Sequence, residues 1–276
     1  MRELKGRTAI ITGAAGGIGA EVARILDREG MNLVLTDVDA ARLEKTARLL
    51  ARDSLRVLCD ITRPDEVRGL VSAAENRFGR VDVLVNNAGI ILPSLFENCE
   101  HADIERQVRI NLLGTMTCTR EVIPAMKKAG GGHIATVSSM AGIVPETHSS
   151  VYTATKFALR GFNLTLAIEL KRHGIGVSTI FPDSVATGML LYEADHGGSP
   201  LTFLNPPQPP ELVARAILRA ITRNRVEAYV PGSTGVLSKI MMCWPRAVAG
   251  IWPLLEYLGE RRKSAVTKRL RETIHE

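Results

Sequence analysis

Short apolar runs rich in β-branched residues recur along this chain, and longer amphipathic segments separate them. The runs lie near residues 8–12, 33–36, 54–59, 83–86, 132–138, 176–181 and 227–230. Continuous apolar runs of this kind are typical of parallel strands buried on both faces, and the segments between them have the apolar spacing of helices. We therefore predict an α/β fold with a doubly wound parallel sheet in a single domain.

The chain continues well past the last predicted strand. Its final segment contains an apolar stretch, residues 236–258, which holds both tryptophans of the protein, Trp244 and Trp252. No uncharged apolar stretch in it approaches the roughly 18 residues that span a bilayer as a helix. We therefore divide the chain into a main domain, residues 1–232, and a helical C-terminal extension, residues 233–276.

The arrangement of this extension stays open at the level of sequence. Pro245 and Pro253 are expected to break it into two or more helical pieces. Their apolar faces cover a pocket or a subunit interface, lie on a membrane surface with the basic end near anionic lipid, or pack on their own domain. We expect them beside a lid at residues 188–210 or on a neighbouring subunit, so that they help to close a pocket; the apolar residues of the lid favour a lipophilic substrate.

A glycine cluster follows the first predicted strand. Gly13, Gly16, Gly17 and Gly19 lie where that strand gives way to a helical run near Ile18. Without Cβ atoms the backbone can approach a pyrophosphate closely, and the free N–H groups of a helix N-terminus bind phosphate. An ordinary tight turn is the alternative, because a glycine cluster alone is weak evidence. Strand, glycine turn and helix together indicate a dinucleotide site.

Asp37 ends the second predicted strand, 18 residues after Gly19. A carboxylate near this offset accepts hydrogen bonds from the adenosine ribose hydroxyls and repels a 2′-phosphate. The sequence therefore predicts NAD, rather than NADP, as the cofactor. The alternative role for Asp37 is to cap the next helix, which Asp39 could do equally well.

Candidate groups for proton chemistry lie farther along the chain. Tyr152 and Lys156 are four residues apart in an amphipathic run, so they share one helix face. An ammonium beside a phenol favours the phenolate, so we expect the pKa of Tyr152 to lie below its ordinary value and suit acid/base catalysis. Ser139 ends an apolar strand, where its hydroxyl could polarise a carbonyl, and Ser138 is the nearby competitor.

Taken in order, these motifs resemble the short-chain dehydrogenase/reductase family over about residues 5–232. Thr12–Gly19 is similar to the family's cofactor loop, and Asn86–Gly89 to its central-strand motif. The resemblance implies a Rossmann-like fold. The cofactor-binding residues that it implies are Gly13, Gly16, Gly17, Ile18, Gly19, Asp37, Asp60, Ile61, Asn87, Ala88, Gly89, Tyr152, Lys156, Pro182, Val185 and Thr187.

The resemblance also implies a mechanism. Tyr152 would exchange a proton with the substrate oxygen, and Ser139 would hydrogen-bond that oxygen. Lys156 would lower the pKa of the tyrosine and hold the nicotinamide ribose. Asn111 would position a water that links the lysine to solvent, although a purely structural amide is the alternative. Asp183 departs from the family, which usually has glycine there, so the resemblance does not define the local loop shape or substrate access, although the triad is unaffected.

The sequence therefore predicts an NAD-dependent oxidoreductase that interconverts a lipophilic secondary alcohol and its ketone. One alternative is an acyl-carrier-linked 3-oxoacyl reductase, which would use NADPH. Another, from a different class, is a non-catalytic NAD-binding interaction protein. We also expect a homo-oligomer, a dimer or tetramer, formed through helical runs at about 103–128 and 152–172, which resemble the family's main interface.

Composition narrows these possibilities only a little. The net charge is +6, but 4% of residues are aromatic and no basic stripe occurs, so no nucleic-acid partner is expected. The four cysteines and six histidines lack paired or ligand spacing, which predicts a reducing compartment and no metal site. Met1–Arg7 is charged and leads directly into the first predicted strand, so we expect no signal peptide. We expect a cytoplasmic protein with possible peripheral membrane contact through the extension.

Overall fold

The computed structural model describes residues 3–275, and within them seven parallel strands form one sheet. The strands are β1 (Thr8–Thr12), β2 (Asn32–Asp37), β3 (Leu55–Leu58), β4 (Val83–Asn86), β5 (Gly132–Val137), β6 (Ile175–Pro182) and β7 (Glu227–Val230). Their order in the sheet is β3-β2-β1-β4-β5-β6-β7. Each strand falls within one residue of its predicted bounds, and the predicted doubly wound α/β fold is confirmed.

Helices cover both faces of this sheet. They are α1 (Gly17–Arg28), α2 (Ala40–Arg48), α3 (Pro64–Phe78), α4 (His101–Val108), α5 (Thr115–Lys128), α6 (Ser150–Glu169), α7 (Gly188–Asp195), α8 (Pro210–Arg223), α9 (Gly232–Met241) and α10 (Pro245–His275). A π-helical turn, Arg109–Gly114, joins α4 to α5, and a 3₁₀ turn, Pro200–Phe203, follows α7.

The sheet buries apolar side chains on both sides, which explains the continuous apolar runs in the sequence. Neighbouring residues of β1 point to opposite faces. Ile11 packs in the core shared with α1 and α8, while Ile10 packs in the core shared with α3, α5 and α6. Because β1 lies between β2 and β4, the strand order reverses there and opens a crevice at the carboxyl ends of the strands.

The C-terminal extension forms two helices that pack against the main domain. Helix α9 lies on β7, and α10 crosses both α7 and the 3₁₀ turn. The expected break at Pro253 is wrong, because this proline lies inside α10. A proline there leaves the carbonyl of Ala249 without its helical partner, and Ala249 is exposed to water, which can hydrate that carbonyl. The predicted interruption at Pro245 coincides with the start of α10.

Candidate active site and cofactor cleft

A cleft of about 1740 Å³ opens at the carboxyl ends of the strands. The glycine turn after β1, the ends of β2, β4, β5 and β6, the lid segment 188–210 and the extension all contribute to its walls. Most of the residues implied as cofactor-binding line this cleft, as do Ser139, Tyr152 and Lys156. Gly19 and Asn111 do not line it: Gly19 packs against Gly13, and Asn111 is fully buried.

The backbone around the glycine turn is packed so tightly that Gly13 and Gly19 leave no space for a side chain. Gly13 has a φ of +63°, and a Cβ there would lie 2.8 Å from the Cα of Ala88. A Cβ on Gly19 would lie 2.2 Å from the carbonyl oxygen of Gly13. Helix α1 begins at Gly17 with no side-chain cap, so its first N–H groups stay available to a bound group. This cradle fits the pyrophosphate of a dinucleotide.

Two polar side chains hold the glycine turn against the end of β4. The Thr12 hydroxyl accepts hydrogen bonds from the backbone N–H groups of Asn87 (3.0 Å) and Ala88 (3.1 Å). The Asn87 amide donates to the carbonyl of Gly13 at 2.9 Å. Asn87 therefore shapes the cradle through its side chain while it also lines the cleft.

Two carboxylates mark the cleft wall where β2 and β3 end. Asp37 accepts hydrogen bonds from the backbone N–H groups of Ala15 (3.0 Å) and Val38 (2.8 Å). Asp39, not Asp37, caps α2, which removes the capping alternative for Asp37. Asp60 accepts two hydrogen bonds from Thr62 and also lines the cleft.

Ser139, Tyr152 and Lys156 converge in the cleft. The Ser139 hydroxyl hydrogen-bonds the Tyr152 phenol. The Lys156 ammonium lies 5.3 Å from the centre of the tyrosine ring and donates to the carbonyl of Val137 at 3.1 Å. Ser138, the competing serine, is buried and donates its hydroxyl to the carbonyl of Lys156. The geometry therefore presents Ser139 to the tyrosine.

Asn111 lies in the π-helical turn and is fully buried. Its amide oxygen accepts from the N–H of Ile90, and its amide nitrogen donates to the carbonyl of the same residue, both at 2.8 Å. A Cβ on Gly89 would lie 3.2 Å from the Asn111 amide oxygen and 3.7 Å from the Lys156 ammonium. The asparagine thus fixes the loop that touches the lysine, and its role toward a water stays a prediction.

Burial sets the electrostatics of the site. In the protein alone, burial and the carboxyl groups of Glu146 and Glu193 raise the pKa of Tyr152 above its ordinary value, although the Ser139 hydrogen bond opposes this. The expected net lowering of this pKa is therefore wrong for the protein alone. Burial also lowers the pKa of Lys156 to about 8, which weakens the ammonium as a source of charge.

Glu146 and Glu193 are the site residues that the sequence analysis missed. Both line the cleft. Burial and the neighbouring carboxylates of Glu193 and Asp183 raise the pKa of Glu146 to about 8. Burial raises the pKa of Glu193 to about 7, against a hydrogen bond from Thr202. Glu146 could have been found from its position in the sequence. It lies between Ser139 and Tyr152, and a segment that joins two site residues passes close to the site.

Removing the Glu146 carboxyl is expected to change how stability depends on pH. Because its folded pKa exceeds its ordinary value of 4.5, the folded state holds a proton that the unfolded state loses. Stability therefore falls as pH rises from about 4.5 to about 8, and levels off above that. Glu146→Gln should raise the melting temperature at pH 8.5 by about 5 °C, with no such gain near pH 4.5. Thermal unfolding across this range tests this, with the exposed Glu97→Gln as control; a constant difference at all pH values would contradict it.

Asp183 lies in the loop that follows β6. Its backbone φ is negative, so the glycine usual in the family is not needed for the turn. The Asp183 carboxylate accepts from Ser184 N–H (2.9 Å) and from the Asn205 amide (3.1 Å), which ties the loop to the lid. Pro182, Val185 and Thr187 line the cleft from this loop.

The inner face of the extension closes the cleft. Trp252 packs on the cluster of Met140, Ile143, Val144 and Phe181, and Val266 and Leu270 pack on the cluster of Leu190 and Phe203. Helix α10 approaches the lid so closely that a Cβ on Gly259 would lie 2.0 Å from the carbonyl oxygen of Pro200. Polar contacts add to this docking, from Glu256 to Thr147 and from Arg271 to Asp195.

Across residues 3–275, no cluster of three or more histidine, cysteine, aspartate or glutamate side chains has the arrangement of a metal site. The chemistry available in the cleft is that of a tyrosine, a lysine and a serine beside a cradle for a dinucleotide. A reversed strand order, a glycine cradle and these three side chains define a nucleotide-dependent α/β oxidoreductase.

Comparison with known proteins identifies the family. The model of the short chain dehydrogenase family matches residues 7–196, and the chain belongs to this family. That match ends one residue after α7 and leaves the rest of the lid and the extension outside. The protein is therefore an oxidoreductase of a family that acts on CH–OH groups.

The chain is similar in sequence to other oxidoreductases and in structure to a reductase. An uncharacterized oxidoreductase from Staphylococcus saprophyticus is 35% identical over 198 residues, which cover 71% of this chain and 80% of that protein. Momilactone A synthase from Oryza sativa subsp. japonica is 39% identical over 189 residues, covering 67% and 69%. The crystal structure of levodione reductase has a TM-score of 0.79 and 25% identity, and covers 84% of this chain and 98% of that one.

Proposed function

We propose that this protein is an NAD-dependent oxidoreductase that interconverts a lipophilic secondary alcohol and its ketone. The observation that carries the proposal is the convergence of Ser139, Tyr152 and Lys156 in a cleft that also holds the glycine cradle. Similarity to a reductase structure and to other oxidoreductases supports the reaction class.

Each polar side chain has a defined task in this proposal. A bound nicotinamide cofactor would supply the hydride chemistry. Tyr152 exchanges a proton with the substrate oxygen at its phenolic oxygen, and Ser139 hydrogen-bonds and orients that oxygen. Lys156 supports the phenolate and holds the ribose next to the nicotinamide. Asn111 is a positioning residue, because its amide fixes the Gly89–Ile90 backbone against the lysine.

The residues proposed to hold the cofactor are distributed along the cleft. The backbone at Gly13–Gly19 would hold the pyrophosphate. Asp37 would accept from the adenosine ribose, with Asp60 and Ile61 beside the adenine. The nicotinamide would lie along the remaining residues of the set, namely Asn87, Ala88, Gly89, Tyr152, Lys156, Pro182, Val185 and Thr187.

The preference for NAD depends on charge at the ribose end. A 2′-phosphate there would face the Asp37 carboxylate, which no basic side chain neutralises in the contacts described above. Arg42 also lines this part of the cleft, but it pairs with Asp39 at 3.5 Å. We therefore propose that NAD binds more tightly than NADP.

Substituting Asp37→Ala should lower the ratio of the Kd for NADP to the Kd for NAD by at least about tenfold. The substitution removes both the repulsion of the 2′-phosphate and one acceptor for the ribose hydroxyls. Titration of both cofactors against the wild type and the variant measures this ratio. Asp53→Ala, on the surface near Arg77, is the control and should leave the ratio unchanged. Equal binding of both cofactors by the wild type would refute the assignment of NAD.

Apolar side chains beside the reactive groups favour a lipophilic substrate. They come from the main domain, the lid and the extension, and include Ile91, Val144, Leu190, Phe203, Trp252 and Leu255. A panel of secondary alcohols of increasing apolar size, incubated with NAD and followed at the absorbance of the reduced nicotinamide, tests this. Activity that rises with apolar size supports the proposal, and activity confined to small hydrophilic alcohols would refute it.

The second candidate is an acyl-carrier-linked 3-oxoacyl reductase. One observation favours it, since Arg262 and Arg269 of α10 line the cleft, where an acidic carrier protein could dock. The same panel separates the two functions when a 3-oxoacyl thioester and NADPH are added. Faster turnover of that pair than of any free alcohol with NAD would establish the second candidate.

The proposed partners also include other copies of this chain. Phe157, Leu164 and Ile168 form an apolar stripe on α6, and Ile168 is 79% exposed. Leu113, between α4 and α5, is exposed as well. We propose that these helices form the interface of a dimer or tetramer.

A charge on this stripe should dissociate the oligomer. Ile168→Glu places like charges at a symmetric interface, so the assembly should shift toward monomer at micromolar concentration. Sedimentation velocity of the variant, the wild type and the exposed-leucine control Leu58→Glu measures the shift. A monomeric wild type at all accessible concentrations would contradict the proposed assembly.

A further inference from the structure

The outward face of the extension carries an apolar surface that the main domain does not cover. We call it the outer apolar surface; its exposed members are Val236, Leu237, Ile240, Trp244, Ile251, Leu254, Tyr257 and Leu258. Trp244 is 65% exposed and Leu254 is 60% exposed, although tryptophan and leucine normally bury most of their area. These eight large apolar side chains lie within 23 residues. An exposed apolar patch of this size is unfavourable in water and indicates a binding surface.

Helix α10 has two apolar faces, one packed on the protein and one exposed. Its inner face, residues 252, 255, 259, 263, 266 and 270, faces the cleft and lid and repeats every three or four residues. Its outer face is apolar at 251, 254 and 258. From residue 260 onward the exposed positions are mainly charged or polar: Glu260, Arg261, Arg262, Ser264, Lys268, Arg269, Arg271 and Glu272. The apolar outer face therefore ends where charged residues begin.

The charge around the outer apolar surface is mainly positive. Residues 232–255 contain Lys239 and Arg246 and no acidic residue. Over residues 232–272 there are eight basic residues against three acidic ones. Arg246 is exposed at the start of α10, and Arg261 lies over the ring of Tyr257 at 5.8 Å. A binding partner that matches this surface would combine an apolar region with negative charge around it.

We propose that the outer apolar surface docks on an anionic lipid bilayer. The apolar side chains of α9 and α10 would enter the acyl boundary, and Arg246 and Arg261 would lie among the headgroups. Trp244 and Tyr257 have the amphipathic rings that favour this interfacial depth. Among the residues described, no helix has both the length and the apolar character to cross a bilayer. The contact is therefore peripheral.

Two observations favour lipid over a second copy of the chain as the occupant. Lys239 already pairs with Glu227 of β7, but a symmetric contact would bring the Arg246 side chains of both copies together, with no acidic residue in 232–255 to pair with them. The outer apolar surface is also continuous with the cleft, since Leu237 and Ile251 are exposed and line the cleft as well. Docking on lipid would place the cleft opening beside a phase in which apolar molecules dissolve.

Cosedimentation with vesicles tests the proposal. We expect the wild type to bind vesicles of phosphatidylcholine with phosphatidylglycerol more tightly than vesicles of phosphatidylcholine alone, and high salt to weaken the binding. Trp244→Ser combined with Leu254→Ser should lower the apparent affinity at least about tenfold. The matched control, Leu58→Ser combined with Val226→Ser, removes two exposed apolar residues elsewhere and should bind like the wild type.

Tryptophan fluorescence can show which side of the extension contacts the lipid. Trp252→Phe leaves Trp244 as the sole emitter, and its emission should shift to shorter wavelength when anionic vesicles are added. Trp244→Phe leaves Trp252, which packs inward, and its emission should stay nearly constant. Failure of the wild type to bind these vesicles would overturn the proposal. So would a dimer, seen by sedimentation velocity without lipid, that the Trp244→Ser and Leu254→Ser pair dissociates.

Discussion

Replacing Tyr152 by phenylalanine is expected to lower kcat by about a thousandfold and to leave the Kd for NAD within about twofold. The phenylalanine ring can keep the contacts that the tyrosine ring makes with Ile91 and Ala141, so the cleft keeps its shape. What disappears is the hydroxyl that Ser139 bonds and that we propose as the proton donor. A fall in kcat without loss of cofactor binding separates proton transfer from binding.

Two further variants make this result specific. Tyr192→Phe removes a hydroxyl from the lid, where the ring stacks on His196, and should leave kcat unchanged. Lys156→Ala should damage both turnover and cofactor binding, because in the proposed mechanism the ammonium supports the phenolate and holds the ribose. Steady-state kinetics and NAD titrations of the three variants give these values. Substantial turnover by Tyr152→Phe would exclude the tyrosine as the proton donor.

The substitution Gly259→Ala should raise the KM for bulky apolar alcohols at least about tenfold. The new methyl group would lie 2.0 Å from the carbonyl oxygen of Pro200, so α10 must move away from the lid. That movement disturbs the inner face, where Val266 and Leu270 pack on Leu190 and Phe203. The glycine cradle lies in the main domain, so the Kd for NAD should stay unchanged.

Gly250→Ala is the matched control for this prediction. Both glycines lie in α10, but a Cβ on Gly250 meets nothing within 4 Å. Alanine favours a helix over glycine by about 1 kcal/mol, so the control should be neutral or slightly stabilising. Kinetics with a small and a bulky alcohol distinguish the two variants. An unchanged KM in Gly259→Ala would show that the extension does not shape the substrate pocket.

The main domain was predictable from sequence because its constraints are local. The buried strands are continuous apolar runs, as Ile10 and Ile11 illustrate by packing on opposite faces of the sheet. The glycine turn was predictable for the same reason, since Gly13 and Gly19 have no room for a side chain. Tyr152 and Lys156 share a helix face, which the spacing of four residues fixes.

Other features depend on contacts between distant segments. The pKa of Tyr152 reflects burial and the carboxyl groups of Glu146 and Glu193, which the fold brings to the tyrosine from the segment after β5 and from α7. Pro253 was expected to break a helix, but α10 continues through it because the lid and the main domain hold its inner face. Both faces of α10 are apolar around residues 251–258, so periodicity alone could not separate the inner face from the outer one.

Transfer of isotope from substrate to cofactor tests the central claim most directly. A lipophilic secondary alcohol that the panel identifies as a substrate is labelled with deuterium at its carbinol carbon and incubated with NAD and the protein. The account predicts that the deuterium appears in the reduced nicotinamide in a one-to-one ratio with the ketone, and that Tyr152→Phe forms neither product at a comparable rate. Ketone formed with the deuterium released to water, or no reduced cofactor from any alcohol although NAD binds, would contradict it.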